Sequence, residues 1–521
     1  MKTKQNQFSK AGFSLLTSAL VFQAGVSAEK KPNILFAFGD DLGRYASIYH
    51  EIEGGDDTPL SVLHTPNMDR VAQQGAVFLN AHVNAPQSTP SRSAILSGQY
   101  FWRTGRGAIL QGAVWDSNIP SYPLILKENG YHIGRTYKVW SPGTPANAPY
   151  GGAQNKFESY GTDFCRFSQT VLRKTTDPEI EAEKQRLYDE VIGNFEEFLN
   201  ANTGDLPFCY WWGPWNTHRE WERGSGKKLW GIDPDDLIGK LPPSFPDIPE
   251  IREDFADYLG EVLAFDYALG LILKKLEDIG ELDNTVIVIS GDHGIPGFPR
   301  AKCNVYQLGT RVPLIVRYPA MVDSGRVIND FVNLMDLAPT FLEFGGVAIP
   351  EVMTGKSLVP ILSAAGSGQI DPERTYVITG FERHVAAARD GNLPYPIRAI
   401  TTSKYKYIRN MAPERWPIGR RSNNFPDIDG GPTKTWYLNN YTNPAYRYYM
   451  ELAFGKRPYE ELYDLENDPH ELNNVANDAA YHADKMMLSQ KLDSVLIATD
   501  DPRMKPGLCI YERYPFTISN Q

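Results

Sequence analysis

The sequence predicts an α/β layer of buried strands followed by a smaller α+β unit, and three observations carry that expectation. Apolar runs of strand length recur at residues 33–38, 208–212, 285–290 and 313–317, and their near-continuous apolar character is that of strands covered on both faces. Helical patterns separate them, most clearly over 252–278, where Tyr258, Val262, Phe265, Leu269, Ile272 and Leu276 fall at spacings of four and three. Such a stripe is core packing. After about Pro372 the texture changes to shorter β-prone pieces at 375–379, 397–403 and 405–409, with Pro- and Gly-rich loops over 412–434. The expected organisation is a leader over 1–28, a first domain over 29–371 and a C-terminal α+β subdomain over 372–521.

The leader rests on Lys2, Lys4 and Lys10, a short apolar stretch over 13–22 and the small-residue exit Val26-Ser27-Ala28, the layout of a signal peptide. The apolar stretch is too short, and too broken by Ser14, Thr17 and Ser18, to read as a membrane anchor. The mature chain is therefore expected to begin near Glu29, exported, periplasmic or secreted, with no stable membrane insertion. Losing three lysines and no carboxylates takes the net charge from -11 to -14. An acidic surface disfavours nucleic acid, so an anionic substrate has to be drawn in by a local cluster of positive charge. Four cysteines, Cys165, Cys209, Cys303 and Cys509, are too few for a disulfide framework and lack metal-ligand spacing; one or two disulfides stay open.

Chemistry concentrates where apolar runs end. The first run stops at Gly39-Asp40-Asp41-Leu42-Gly43, and open α/β sheets place ligands at the carboxyl ends of their strands. Adjacent carboxylates at one buried mouth need a compensating cation, which a hard divalent ion with oxygen ligands supplies; alone, the pair would equally suit a solvated turn. A second run ends alike, in Ser290-Gly291-Asp292-His293-Gly294, so that Asp292 can complete the same site. Between them lies Ser88-Thr89-Pro90-Ser91-Arg92-Ser93-Ala94-Ile95-Leu96-Ser97-Gly98. Pro90 suits the first turn of a short helix, which puts Ser88 just before a helix N-terminus that favours an anion, with Arg92 one turn on and expected to point back toward the same spot as a catalytic positive charge. By composition a capped surface helix is as good a reading.

Ser88-x-Pro90-Ser91-Arg92 followed by Leu-x-Gly resembles the signature of the formylglycine-dependent sulfatase family, in its serine form. The resemblance implies an alkaline-phosphatase-like sandwich, a large central mixed sheet between helices with a short antiparallel sheet in the C-terminal subdomain. It also implies that Ser88 is oxidised to 3-oxoalanine (formylglycine) by a radical maturation enzyme, a bacterial trait, and that one calcium ion is bound by Asp40, Asp41, Ser88, Asp292 and His293. Further stretches match in order. The segment 130–138 resembles the second family signature and makes Lys138 a contact to the nucleophile; Trp215-Asn216-Thr217-His218-Arg219 makes His218 the general acid; Lys302-Cys303-Asn304-Val305-Tyr306, then Gly309-Thr310-Arg311-Val312-Pro313, makes Lys302 a sulfate clamp; and 461–471 is similar to the family's C-terminal subdomain. Taken singly, each of these would be an ordinary surface or structural residue. Arg383 and His384, between the two units, are expected at the sugar. One departure stands out: the second signature normally continues Lys-x-His, and here it reads Lys138-Val139-Trp140. Trp140 is expected as a stacking platform for a sugar.

The reading that follows is a sulfatase acting on a sulfated carbohydrate, O-sulfate esters ahead of N-sulfate. The segments 294–296, 302–306 and 461–471 look most like the heparan N-sulfatase branch, so an N-sulfoglucosamine sulfohydrolase is the alternative. A phosphomonoester or phosphonate hydrolase of the same superfold, or a non-catalytic binder of sulfated glycans, stays open at this stage.

Overall fold

The computed structural model describes residues 1, 30–174 and 176–513; the leader expected over 1–28 lies, Met1 apart, outside them. The strands β1 (Asn33–Gly39), β2 (Ala76–His82), β3 (His132–Tyr137), β4 (Phe208–Gly213), β5 (Thr285–Gly291), β6 (Leu314–Arg317) and β7 (Arg326–Asn333) form one sheet in the order β3-β4-β1-β5-β6-β2-β7. Only β6 runs antiparallel to its neighbours, so the sheet is mixed, as expected. The four apolar runs became β1, β4, β5 and β6. The other three strands did not stand out in the sequence because β3 and β7 are the sheet's edges and carry residues such as Arg135 and Asp330, while β2 holds the half-buried Asn80.

Strand alternation divides the core between the sheet's two faces. In β1, Leu35 and Ala37 pack with Phe265 and Leu269 of the helix Pro249–Asp278, and Ile34, Phe36 and Phe38 pack with Phe341 and Leu342 of the helix Leu337–Phe344. The helix Pro249–Asp278 has thirty residues, about 45 Å of rod. All six stripe residues are fully buried. It starts three residues before the expected Arg252, at Pro249, whose fixed φ suits a first turn.

That helix also buries acids. Asp257 accepts from the backbone amides of Gly226, 2.8 Å, and Gly224, 2.9 Å, yet burial outweighs those bonds and pushes its carboxyl up to about 7. A raised carboxyl favours the protonated folded state, so its contribution is whole below the ordinary carboxyl range and is lost as pH rises through about 7. Asp257→Asn gives up one backbone bond at every pH but cannot ionise. We expect wild-type stability relative to Asp257→Asn to fall by on the order of 2 kcal/mol between pH 5 and pH 8.5, read from urea melts at each pH. A parallel pair of pH profiles would contradict this.

A second, antiparallel sheet, in the order β11-β10-β9-β8, is made of β8 (Tyr376–Phe381), β9 (Ile397–Thr402), β10 (Tyr405–Asn410) and β11 (Glu460–Asp464). One face, with Ile378, Ile400, Tyr407 and Leu462, packs on Leu488, Leu492 and Leu496 of the helix His482–Ala498. The other, with Phe381, Ile397 and Ile408, packs on Cys303, Val305 and Tyr306. Lys406 Nζ reinforces this contact, 2.7 Å from the Val305 carbonyl. The second sheet thus holds in place the segment that carries Lys302. All four cysteines are free thiols, and no helix among the described residues is long and apolar enough to cross a membrane.

Candidate active site

β4, β1 and β5 are adjacent and parallel, with Ala37 opposite both Trp212 and Ile289, and Gly39 opposite Gly291. The residues that follow these strands therefore emerge side by side at one edge of the sheet. Asp40 and Asp41 leave β1, Asp292 and His293 leave β5, and Lys138 leaves β3 with its amide bonded to the Gly213 carbonyl, 2.9 Å. The turn after β1 is held from several sides. Asp41 has φ 61°, its amide donates to Asp292 Oδ1, 2.7 Å, and the Tyr258 hydroxyl accepts from the Gly43 amide, 2.9 Å. Gly291 permits the close approach, because a Cβ there would lie 2.0 Å from the Leu42 carbonyl oxygen.

The helix Ser88–Ser97 points its start at the same edge. Ser88 is its first residue, with Gln87 as the N-cap, one position deeper than the sequence suggested. Ser88 Oγ lies 3.3 Å from Asp40 Oδ1, 3.3 Å from His293 Nε2 and 3.1 Å from Lys138 Nζ. Arg92 reaches the centre from one turn on, but as a strut: it is fully buried, donating to Asp292 Oδ2, 2.9 Å, to Asp40 Oδ1, 2.9 Å, and to the Lys138 and Val139 carbonyls. Lys138 Nζ spans both oxygens of Asp40 at 2.7 Å. Burial alone would raise the Asp40 carboxyl, but Lys138 and Arg92 outweigh it and hold Asp40 well below the usual range.

Asp41 is treated the same way on its other side. Burial opposes its charge, and Lys302, 2.8 Å from Oδ2, more than compensates. Lys302 also pairs with Asp429, 2.9 Å, whose carboxyl Lys302 and His218 hold down to about 2 against the effect of burial. Asp429 was invisible in the sequence, an Asp-Gly step in a loop expected over 412–434.

His293 carries the signature of a ligand. Its Nδ1 faces the Gly294 carbonyl at 3.0 Å, which places the ring proton there and leaves the Nε2 lone pair facing Asp41 Oδ1, 3.0 Å, and Asp292 Oδ1, 3.5 Å. An imidazole lone pair and two carboxylates repel unless a positive charge sits among them. Without such a charge the ring takes up a proton in its place: burial would lower the His293 pKa, yet Asp292 and Asp41 raise it above the ordinary value. The site asks for a cation, and its oxygen-rich donor set with one imidazole fits a divalent one. Asp41, Asp292 and His293 offer ligand atoms mutually close enough to hold one ion, as do Asp40, Asp41 and His218.

His218 stands on the solvent side, half-buried. Its Nδ1 faces the Arg219 carbonyl, 2.6 Å, and its Nε2 lies 3.9 Å from Asp41 Oδ2. It lines an open cleft of about 630 Å³ shared by Asp40, Lys138, Trp215 and Arg166.

The residues expected at the sugar fare differently. Trp140 is no platform: it is fully buried, its Nε1 donates to Ser93 Oγ, 2.8 Å, and Trp115 packs edge-on against it. Tyr137 and Trp215 both line the cleft, and the more open of the two is the half-buried Trp215, which sequence reasoning passed over beside His218. Arg383 is buried rather than open to the cleft, and burial lowers its pKa to about 10 against the pull of Glu382 and Glu512, so that as placed it offers no face to a sugar. His384 does reach the centre's surroundings. It is nearly fully buried, its Nδ1 meets Gln87 Oε1 at 3.2 Å, and burial together with Lys302 lowers its pKa to about 3. A neutral, enclosed imidazole there sets the helix N-cap in place.

Asp40, His293 and Lys138 thus meet at one serine oxygen at the carboxyl edge of an α/β sheet, while Arg92 and Lys302 brace the carboxylates around it, an arrangement that suits an enzyme cleaving an anionic ester. The chain belongs to the sulfatase family, whose profile, described as Sulfatase, matches residues 32–347, and it is a sulfatase. A second profile, described as N-sulphoglucosamine sulphohydrolase, C-terminal, matches residues 292–423. Among its relatives, an ulvan-active sulfatase of Formosa agariphila is 28% identical, covering 92% of this chain and 76% of its own length. Human N-sulphoglucosamine sulphohydrolase is 27% identical over 93% of each chain. A solved structure of a protein in complex with its substrate D-glucosamine-2-N,6-O-disulfate shares the fold, with a TM-score of 0.59, 21% identity and coverage of 91% of this chain and 99% of that one.

Proposed function

We propose that this protein is an exported glycan sulfatase in which Ser88, converted to formylglycine, acts with one calcium ion on a sulfated carbohydrate, favouring O-sulfate esters. The observation that carries the reading is the position of Ser88 Oγ, within 3.3 Å of Asp40, His293 and Lys138. Calcium, held by Asp40, Asp41, Asp292 and His293 beside position 88, would supply Lewis-acid charge to a sulfate oxygen. The aldehyde hydrate made from Ser88 would supply a nucleophilic oxygen and a second oxygen through which the enzyme is regenerated; a plain serine has only the first.

The remaining work falls to the chain's own side chains. Lys138 and Lys302 bind the sulfate's negative charge, and each is pre-positioned by a carboxylate, Asp40 and Asp41 respectively. Arg92 does not touch the sulfate in this reading; it fixes Asp40 and Asp292. His218, oriented by the Arg219 carbonyl, holds a proton at Nε2 and passes it to the leaving oxygen, facing the cleft from which that group departs. Buried Trp140 stands where the family has a histidine; here the Ser88 hydroxyl donates to Asp40 Oδ1, 3.3 Å, and the Lys138 ammonium donates to Ser88 Oγ, 3.1 Å, so that Lys138 stabilises negative charge on that oxygen.

A second reading, an N-sulfoglucosamine sulfohydrolase, is favoured by the C-terminal profile over 292–423 and by the human relative. Defined O- and N-sulfated glucosamines decide between the two. The general reading is tested by mass spectrometry of the Ser88 peptide from cells that hold the radical maturation enzyme, with loss of two hydrogens expected. Sulfate release from sulfated sugars should exceed phosphate release from phosphate esters. A chelator should abolish it, about a hundredfold or more, and added calcium should restore it. Intact serine under maturing conditions, or chelator-insensitive turnover, would sink the proposal.

A further inference from the structure

The cleft that opens on the centre is basic in an otherwise acidic protein. The chain carries a net charge of -11, yet the cleft walls present six lysine and arginine side chains against three carboxylates. A single scissile sulfate is served by Lys138 and Lys302, so the excess lies elsewhere along the cleft. Most of it is spoken for: Lys156 Nζ lies 2.9 Å from Glu158, and Arg173 pairs with Glu222.

Arg166 is different. It is exposed on the cleft wall and makes no hydrogen bond or ion pair among the described residues. It is also rigidly based, because Phe164, Cys165 and Phe167 on either side of it are buried. An exposed guanidinium on an anchored backbone, left without a carboxylate, is a poor structural element and a good anion receptor, with a fork that matches sulfate or carboxylate oxygens. A second observation points the same way. Arg135, on the same cleft, is nearly fully buried, and its Nε has no hydrogen-bond partner among the described residues. Its Nη1 is tied to the Tyr137 carbonyl, 2.9 Å, and to Glu158, 3.1 Å, a carboxylate it shares with Lys156, and burial lowers its pKa against that pull.

We infer that Arg166, backed by Arg135, is a specificity-determining residue that binds a second anionic group, a sulfate or carboxylate, on a polyanionic sugar whose scissile sulfate sits at Ser88. The inference rests on the sulfatase reading of the Ser88 centre and narrows its substrate class to glycans with more than one negative charge. No chemistry is required at this second position. It contributes attraction at the entrance of a protein whose overall field repels the ligand.

Binding to protein with Ser88 unconverted separates this inference from the catalytic reading. The ligands are D-glucosamine 6-sulfate, D-glucosamine-2-N,6-O-disulfate and a disaccharide that joins glucosamine 6-sulfate to a hexuronate, titrated calorimetrically with calcium present. Wild-type protein is expected to bind at least one of the dianionic ligands about tenfold more tightly than the monosulfate. The arm that shows the gain identifies the second group as sulfate or carboxylate. Arg166→Ala should bring that ratio close to one and flatten its dependence on salt, and Arg166→Lys should keep part of it. Equal affinities for all three ligands in wild type, or a ratio unchanged in Arg166→Ala, overturns the inference. If the ratio behaves as expected but matured enzyme releases no sulfate from any of the three, the catalytic reading fails and the anion site stands.

Discussion

Ser88→Ala is expected to lower kcat/KM for sulfated sugars by about a thousandfold or more, in cells that carry the maturation enzyme, while the melting temperature moves little. The loss follows from what the position holds: Ser88 Oγ is the one oxygen that Asp40, His293 and Lys138 approach together. The fold should tolerate it, since the alanine keeps the helix start and the three contacts it forfeits are long. Ligand binding should survive as well, because Lys138 and Lys302 remain. Matured wild type and variant are compared by sulfate release, with melting followed by circular dichroism. A variant that kept more than a tenth of wild-type turnover would remove Ser88 from the chemistry.

The second large effect falls on stability. Arg92→Met should destabilise the fold by about 3–5 kcal/mol, since removing one partner of a buried ion pair leaves charge uncompensated. Here the arginine serves two buried carboxylates at once, Asp40 and Asp292, each at 2.9 Å. Calcium should recover part of the loss by supplying positive charge to the same carboxylates, so urea denaturation is run with and without it. Arg92→Lys should restore only a fraction, because three donors on a flexible stem cannot reproduce the four bonds of a planar fork. A loss below about 1 kcal/mol would mean that Asp40 and Asp292 do not depend on Arg92 for compensation.

Much of this was legible in the linear chain because its signals are local. The runs that became β1, β4, β5 and β6 are continuous in apolar character, and the stripe on Pro249–Asp278 is periodic, so neither depends on knowing what packs against it. Asp40, Asp41, Asp292 and His293 were findable because each follows such a run directly. Ser88 and Lys138 were read from short motifs whose spacing is likewise contained in one segment.

What remained hidden depends on partners distant in sequence. Asp429 matters because Lys302 is 2.9 Å away, and nothing in a Pro- and Gly-rich loop announces that. Trp140 was mistaken for a sugar platform since an indole reads the same whether it is exposed or, as here, sealed between Ser93 and Trp115. Arg92 and Arg166 are chemically alike in the sequence, yet one is a buried strut and the other an open receptor. Residue types and their spacing, set within single segments, determined the α/β class and the list of reactive groups. Which groups meet, which are buried and which face the cleft was decided only by tertiary structure, because charge compensation and exclusion of water arise between segments that the sheet brings together.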